Sequence, residues 1–311
     1  MPFLPLYIIV GPTATGKTAA SIKLARQLNG EIISADSMQI YRRMDIGTAK
    51  TSLKERQGIP HHMIDIIDPD EQYSVALFRE KAEKHILDIV SRGKIPVMVG
   101  GTGLYVRAVI DQYSFTQTGI DTGLRTRLNK MAESEGSPAV HSLLEKVDPH
   151  TAARLHPNNL KRVIRAIEVY YKTGKPFSIL QAEDSLKAEK YNLFMFGLKM
   201  NREDLYFRIG KRVDKMIADG LVEEVNKLLK DGCSPELTSM QGLGYKEIVP
   251  YLKGLTSLEE AISTLKRNTR RYAKRQITWF GHDPRVNWLD TATISDPAKE
   301  IINARRRSII E

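Results

Sequence analysis

Cysteine is nearly absent from the sequence: Cys233 is the only one among 311 residues. An intrachain disulfide and a zinc site built from cysteines are therefore both excluded. Long apolar runs are also missing, since no stretch approaches the roughly 20 residues that a membrane-spanning helix needs. The first residues, MPFLPLYIIV, lack the basic segment that opens a signal peptide. We therefore expect a protein of the cytoplasm with no membrane partner.

Acidic residues are outnumbered by basic ones. The chain has 37 Asp and Glu residues against 47 Lys and Arg, which gives a formal net charge of +10 at pH 7 and a pI near 9.5. Such an excess is typical of nucleic-acid-binding proteins, but many basic enzymes bind none, so the positions of the charges must decide. With 41% hydrophobic residues, the chain can bury one large core or a core with a smaller second unit.

A phosphate-binding loop follows the first predicted strand. Residues 7–10, YIIV, are typical of a buried parallel strand, and residues 11–18, GPTATGKT, match G-x-x-x-x-G-K-[ST]. Residues 19–28 have the apolar spacing of a helix. In this order the glycines let backbone N–H groups turn toward an anion, Lys17 neutralises phosphate oxygens, and Thr18 is placed to coordinate Mg²⁺. The pattern predicts a phosphate cradle without naming the chemistry.

The strand predicted at residues 95–99, IPVMV, does not end in the acid that usually holds Mg²⁺ or polarises water in a hydrolytic ATPase. It ends in residues 100–103, GGTG. These glycines suit either a second close approach of the backbone to a ligand or an ordinary turn from strand to helix. The sequence does not separate the two.

A single acid follows the second predicted strand. Residues 31–34, EIIS, deliver Asp36 to the carboxyl edge of the sheet, where ligands bind in open α/β folds. Asp36 is either a cap on the following turn or a general base that orients an amine, and the pattern alone favours neither. The side-chain amide of Gln39 has the groups to pair with an adenine edge, although surface glutamines are common.

Seven sequence blocks between residues 7 and 280 resemble the tRNA dimethylallyltransferases, also called tRNA isopentenyltransferases. The combination of D-S-x-Q-[IV]-Y with D-I-G-T-A-K is especially specific. The blocks, in chain order, are GPTATGKT, ADSMQIYRRMDIGTAK, HHMIDIIDPDEQYSVALF, PVMVGGTGLY, LHPNNLKRVIRAIEVY, MQGLGYKEI and RRYAKRQITWF. The chain is similar to the short bacterial form, since it lacks the cysteine-and-histidine zinc finger that longer eukaryotic members append.

The resemblance implies transfer of a dimethylallyl group from dimethylallyl diphosphate to tRNA, with release of diphosphate. The implied acceptor is the N6 amine of the adenosine 3′-adjacent to the anticodon (position 37). Asp36, Thr18 and Arg208 are the implied catalytic residues: Asp36 takes the amine proton, Thr18 helps to hold Mg²⁺, and Arg208 reaches the donor diphosphate. The implied donor-binding residues are Gly11, Pro12, Thr13, Ala14, Thr15, Gly16, Lys17 and Thr18.

The resemblance also implies a surface for the tRNA anticodon stem-loop. A predicted helix carries Lys161, Arg162 and Arg165 opposite an apolar stripe, a pattern that by itself is more typical of a solvated face. Arg125 is a weaker candidate for the same surface. Residues 266–275 contain six basic residues and no acid, which favours phosphate contact. The implied RNA-binding residues are Asp36, Ser37, Met38, Gln39, Thr102, Lys161, Arg162, Val163, Ile164, Arg165, Lys274 and Arg275.

The order of the predicted elements gives an α/β fold: a P-loop NTPase-like core with a parallel sheet flanked by helices, plus an inserted, mainly helical domain. We expect the first part of the catalytic core at residues 1–113 and the inserted tRNA-binding domain at 114–189. The second part of the core, with basic C-terminal helices, is expected at 190–311. We expect a monomer.

Three other functions fit parts of the sequence. A small-molecule kinase would use the same loop for ATP, with Asp36 activating a substrate hydroxyl. A nucleic-acid-binding ATPase would explain the loop and the charge but not the D-S-x-Q segment. A noncatalytic RNA-binding protein with a relict loop fits least well.

Overall fold

The computed structural model describes residues 3–112, 121–185 and 189–310. The chain forms two compact units, one built from Met1–Val109 with Lys190–Glu311 and the other from Ile110–Glu189. The predicted boundary between residues 113 and 114 lies outside the described residues. Within the described ranges, no helix is both long and apolar enough to cross a membrane.

The larger unit contains one six-stranded sheet in which every pairing is parallel. Its strand order is third, second, fourth, first, fifth, sixth in chain numbering. The strands are β1 (Leu4–Val10), β2 (Gly30–Ser34), β3 (His61–His62), β4 (Ile95–Val99), β5 (Tyr191–Lys199) and β6 (Asn287–Asp290). The predicted α/β fold with a parallel sheet is confirmed. Because β2, β4 and β1 are neighbours, the segments after their carboxyl ends meet at one edge of the sheet.

Helices surround this sheet and make up the smaller unit. Those from the first part of the chain are α1 (Lys17–Gln27), α2 (Leu53–Arg56), α3 (Val75–Ser91) and α4 (Gly103–Ile110). The next five are α5 (Thr122–Glu135), α6 (Ser137–Val147), α7 (Pro149–Arg154), α8 (Leu160–Thr173) and α9 (Phe177–Ser185). The last five are α10 (Arg202–Ala218), α11 (Leu221–Lys230), α12 (Tyr245–Leu252), α13 (Leu258–Gly281) and α14 (Pro297–Ile310).

Helix α13 begins at a capping box. Ser257 Oγ accepts a hydrogen bond from the backbone N–H of Glu260, and the Glu260 carboxylate accepts one from the backbone N–H of Ser257. Its buried residues recur every three or four positions and are Ala261, Leu265, Thr269, Ala273, Gln276 and Phe280. This spacing places them on one stripe of the helix. Gln276 is the long polar side chain in that stripe.

The smaller unit packs its helices around a core to which α8 contributes most. Val163 and Ile164, which were predicted to contact RNA, are buried in this core. That prediction is wrong for their side chains, because the helical stripe that fills the core contains both positions. Tyr171, near the end of α8, is exposed.

A buried carboxylate in α8 binds two of the predicted RNA-contacting arginines. Glu168 is fully buried, and its oxygens accept hydrogen bonds from Arg125 Nε and Nη2 and from Arg165 Nη1 at 2.6–2.9 Å. Burial alone would raise the pKa of Glu168, but these bonds outweigh it and lower the pKa to about 2. Both guanidinium groups are therefore committed to an ion pair inside the unit, which corrects their assignment to a free basic face.

Candidate functional site

The carboxyl edge of the sheet opens onto a cavity of about 550 Å³, within the usual size range of small-molecule sites. Three segments that the sequence singled out contribute to its wall: the loop after β1, the segment after β2 and the glycines after β4. Helices α10 and α13 also contribute to the lining, together with residues within 47–51 and 241–246, His61 and Ile64. All of these residues belong to the larger unit.

One peptide carbonyl organises the phosphate loop. Pro12 O accepts hydrogen bonds from Lys17 Nζ (2.7 Å) and from Thr15 Oγ1 (2.8 Å). Thr15 is buried, so its hydroxyl shapes the loop and leaves only its backbone for a ligand. Thr18 lies in the first turn of α1, is exposed and lines the cavity. The predicted strand, loop and helix therefore follow one another as the sequence indicated.

Two cations and one carboxylate meet in this cavity. Burial, followed by the nearby positive charge of Arg212, lowers the pKa of Lys17 to about 7, while Asp36 acts in the opposite direction. Burial also lowers the pKa of the Arg212 guanidinium, and Asp36 again acts in the opposite direction. Arg212 makes no side-chain hydrogen bond or ion pair within the described ranges. The arrangement carries excess positive charge and is suited to binding a polyanion.

Arg212 takes the place that the sequence assigned to Arg208. Both arginines belong to α10, but Arg208 is exposed and does not line the cavity, whereas Arg212 does. The two are four residues apart, so they lie on a similar side of the helix but about 6 Å apart along its axis. The cavity thus offers Arg212, about one helical turn further along the chain, for the role predicted for Arg208.

Asp36 lines the cavity and also caps a turn. Its Oδ1 accepts the backbone N–H of Met38 at 2.9 Å, so the structural alternative raised by the sequence is realised. Oδ2 accepts no hydrogen bond from any described residue. The turn thus fixes the carboxylate while one of its oxygens keeps its capacity to accept a proton or a hydrogen bond.

Thr102 braces the segment that contains Asp36. Its Oγ1 accepts the backbone N–H of Ser37 (3.0 Å) and donates to Ser37 Oγ (3.3 Å), while its own backbone N–H donates to the carbonyl of Ala35 (3.2 Å). Thr102 is not part of the cavity wall. Its hydroxyl therefore holds the segment that contains Asp36 in place, and the RNA contact of Thr102 stays a prediction.

The amide of Gln39 is held inside the protein. Oε1 accepts a hydrogen bond from Ser34 Oγ (3.1 Å), and Nε2 makes long contacts with the carbonyls of Thr48 (3.4 Å) and Ala49 (3.5 Å). Gln39 is half-buried and lines the cavity. These bonds account for the orientation of its amide, and its pairing with an adenine edge stays a prediction.

The D-I-G-T-A-K segment contributes to the cavity wall and is held by a hydrogen-bonded network. Glu224 of α11 accepts the backbone N–H groups of Asp45, Ile46 and Gly47 at 2.8–3.1 Å. The Tyr245 hydroxyl donates to the same carboxylate at 2.7 Å. Gly47 lines the cavity, and the Tyr245 ring occupies the space that a side chain at this position would need. A motif that marks the family thus acts here as a scaffold.

The glycines after β4 both line the cavity and allow tight packing. A Cβ at Gly100 would overlap the Ala35 carbonyl, and one at Gly101 would overlap Gln276 Nε2. Gly100 and Gly101 are also part of the cavity wall. Of the two alternatives left open by the sequence, the turn from strand to helix is confirmed, since β4 ends at Val99 and α4 begins at Gly103. The close approach of the backbone to a ligand stays a prediction, and the packing requirement was not anticipated.

Helix α13 supplies residues that the sequence did not identify. Tyr272 and Gln276 line the cavity, and burial, followed by the charge of Asp36, raises the pKa of Tyr272 to about 12. Arg275 also lines the cavity, whereas Lys274 is exposed outside it. The basic segment at residues 266–275 has an acidic partner, since Lys266 pairs with Asp214 of α10. The one available signal for Gln276 was a glutamine within an apolar stripe.

Comparisons with known proteins agree with this geometry. The IPP transferase family model matches residues 39–283, and an isopentenyl transferase model matches residues 4–67. The chain is 56% identical to the tRNA dimethylallyltransferase of Pelotomaculum thermopropionicum over 94% of this chain and 92% of that protein. It is 54% identical to the tRNA dimethylallyltransferase of Carboxydothermus hydrogenoformans, over 92% of each chain.

Solved structures show the same likeness. The full-length tRNA isopentenylpyrophosphate transferase from Bacillus halodurans superposes with a TM-score of 0.72 at 48% identity, covering 98% of this chain and 96% of that one. A eukaryotic dimethylallyltransferase acting on tRNA gives a TM-score of 0.84 at 32% identity, covering 98% of this chain and 79% of that one. With the family model spanning most of its length, the chain belongs to the IPP transferase family.

Proposed function

We propose that the protein transfers the dimethylallyl group of dimethylallyl diphosphate to tRNA, and that the acceptor is the N6 amine of the adenosine 3′-adjacent to the anticodon (position 37). The observation that carries the proposal is the cavity in which Lys17 and Arg212 face the single carboxylate of Asp36. Relatives named tRNA dimethylallyltransferase support it along nearly the whole chain. They favour prenyl transfer over a kinase or an ATPase.

The charges of the cavity suit such a reaction. As the allylic carbon–oxygen bond breaks, its electron pair leaves with the diphosphate, where Lys17 and Arg212 stabilise the growing negative charge. The adenine nitrogen forms the new bond to carbon, and its proton passes to Asp36. An exocyclic amine is a weak nucleophile, so accurate placement of the two substrates contributes more than a strong base would.

Thr18 is the residue proposed to hold Mg²⁺. Its position in the exposed first turn of α1, on the cavity wall, fits a hydroxyl ligand beside a bound diphosphate. Mg²⁺ usually takes few protein ligands and fills its remaining positions with phosphate oxygens and water. When bound, the ion supplies further neutralisation of the leaving group.

We also propose the tRNA anticodon stem-loop as the RNA partner, and a monomeric protein of the cytoplasm as its setting. In the smaller unit, Lys161 and Arg162 are exposed, and within the described residues their side chains make no hydrogen bond or ion pair. In the larger unit, Lys274 and Arg275 continue the basic surface of α13. Arg165 is left out of this surface because Glu168 binds it.

Product analysis tests the proposed function. Purified protein, unmodified tRNA and Mg²⁺ should yield N6-prenylated adenosine, detected by mass spectrometry of the digested tRNA, only when dimethylallyl diphosphate is present. Asp36→Asn should slow single-turnover transfer by about 10²–10⁴-fold, because it removes the basic oxygen and keeps the shape. ATP turnover at the rate of a kinase, with unmodified tRNA at the end, would reject the proposal.

Arg208 and Arg212, both in α10, give a matched pair of variants. Arg212→Ala should lower the rate constant of transfer by about 10²–10³-fold, because it removes a charge that stabilises the leaving diphosphate. Arg208→Ala should leave both kcat and the KM for the donor close to their original values. Steady-state kinetics with saturating tRNA would show the difference, and equal losses in both variants would contradict the placement of Arg212.

The salt dependence of tRNA binding tests the basic face of α8. Replacing both Lys161 and Arg162 with Ala should flatten the plot of log affinity against log salt by about 1.4 to 1.8 units, since each neutralised phosphate contributes about 0.7 to 0.9. Arg165→Ala is the matched control on the same helix and should leave the slope unchanged. An unaltered slope in the double variant would contradict tRNA contact by Lys161 and Arg162 and would indicate that this face of α8 is only solvated.

A further inference from the structure

Gln276 joins three elements at the bottom of the cavity. It is 5% exposed. Its Oε1 accepts the backbone N–H of Thr13 at 2.9 Å, and its Nε2 donates to the backbone carbonyl of Gly101 at 3.1 Å. The orientation of the amide is unambiguous, because one partner can only donate and the other can only accept. One side chain of α13 thus connects the loop after β1 to the loop after β4.

The peptide group between Pro12 and Thr13 is held from both sides. Its N–H donates to Gln276, and its carbonyl accepts from Lys17 Nζ and Thr15 Oγ1. In a trans peptide the N–H and C=O point in opposite directions, so the two sets of bonds fix one orientation of the plane. If this plane rotated, Lys17 would lose the acceptor that holds its ammonium group.

We propose that Gln276 is a positioning residue for the diphosphate donor: it fixes the Pro12–Thr13 peptide and, through the carbonyl of that peptide, the ammonium group of Lys17. It does so without touching the reacting atoms. The absence of a side chain at Gly101 makes this arrangement possible, since a Cβ there would overlap the Gln276 amide. The inference deepens the proposed function, because it assumes a diphosphate at Lys17.

Binding of inorganic diphosphate, followed by calorimetry, tests this role without the transfer reaction. Gln276→Met removes both hydrogen bonds and should weaken diphosphate binding by about three- to tenfold, the fold-change expected from one or two modest hydrogen bonds. Because Gln276 acts on the diphosphate through Lys17, the same change should have little effect on diphosphate affinity when it is made in a Lys17→Ala variant.

The Lys17→Ala background separates positioning from a general loosening of the fold. If Gln276→Met loosened the whole cavity, it would weaken diphosphate binding by a similar factor whether or not the Lys17 side chain is present. A loss of affinity that depends on Lys17 requires the connection through the Pro12–Thr13 peptide.

Asn268→Leu is the matched control on the same helix. Asn268 Nδ2 donates a hydrogen bond to Glu247 Oε1 at 2.9 Å. The change therefore also removes a hydrogen bond made by a side-chain amide of α13, but at a contact with α12. It should leave diphosphate affinity unaltered. The inference is overturned if Gln276→Met does not weaken diphosphate binding, if it weakens binding equally in the Lys17→Ala variant, or if Asn268→Leu weakens it as much. Diphosphate binding with the expected losses but no transfer to tRNA would contradict only the proposed reaction.

Discussion

Two cations held beside a single carboxylate are the feature on which the rest of the site depends. Burial disfavours the charged forms of Lys17 and Arg212, and Asp36 only partly offsets that cost. Such a site gains most from a ligand that brings several negative charges, which a diphosphate does. The same electrostatic imbalance that destabilises the cations before binding strengthens their interaction with the departing group.

The helices around the cavity fix the positions of these charged groups. The buried residues of α10 recur every four positions and are Leu205, Ile209 and Val213. Their packing fixes the position of the helix along its axis and therefore the place where Arg212 lines the cavity. Helix α13 packs against α10 through Ala273, a small residue that permits close approach. Gln276 then reaches the phosphate loop from the next turn of α13. The packing of α10 and α13 therefore determines where the charged groups of the cavity lie.

Local signals were enough to predict the strand, loop and helix around residues 7–28 and to place Asp36 at the sheet edge. Both follow from sequence periodicity and from the rule that parallel strands end at one edge. Arg212 was missed because a helix repeats its faces every turn, and only the packing of α10 decides which turn reaches the cavity. Arg165 was misassigned because its acceptor, Glu168, becomes buried only when the smaller unit folds. Gln276 acts through backbone groups of residues 263 and 175 positions away, which no local pattern encodes.

Proton uptake on donor binding tests the central claim most directly. With a pKa of about 7 before binding, Lys17 is mostly neutral at about pH 8, and a bound diphosphate should raise its pKa and draw in a proton. The affinity gained from this proton uptake is fully present at pH values below the pKa of Lys17 in the free protein. It is lost as the pH rises through the higher pKa that Lys17 has in the complex. Calorimetry of dimethylallyl diphosphate binding at that pH, in two buffers with different ionisation enthalpies, should show uptake approaching about one proton. The uptake should vanish in Lys17→Arg, whose side chain is already charged. Binding without proton uptake in the unmodified protein would contradict the account.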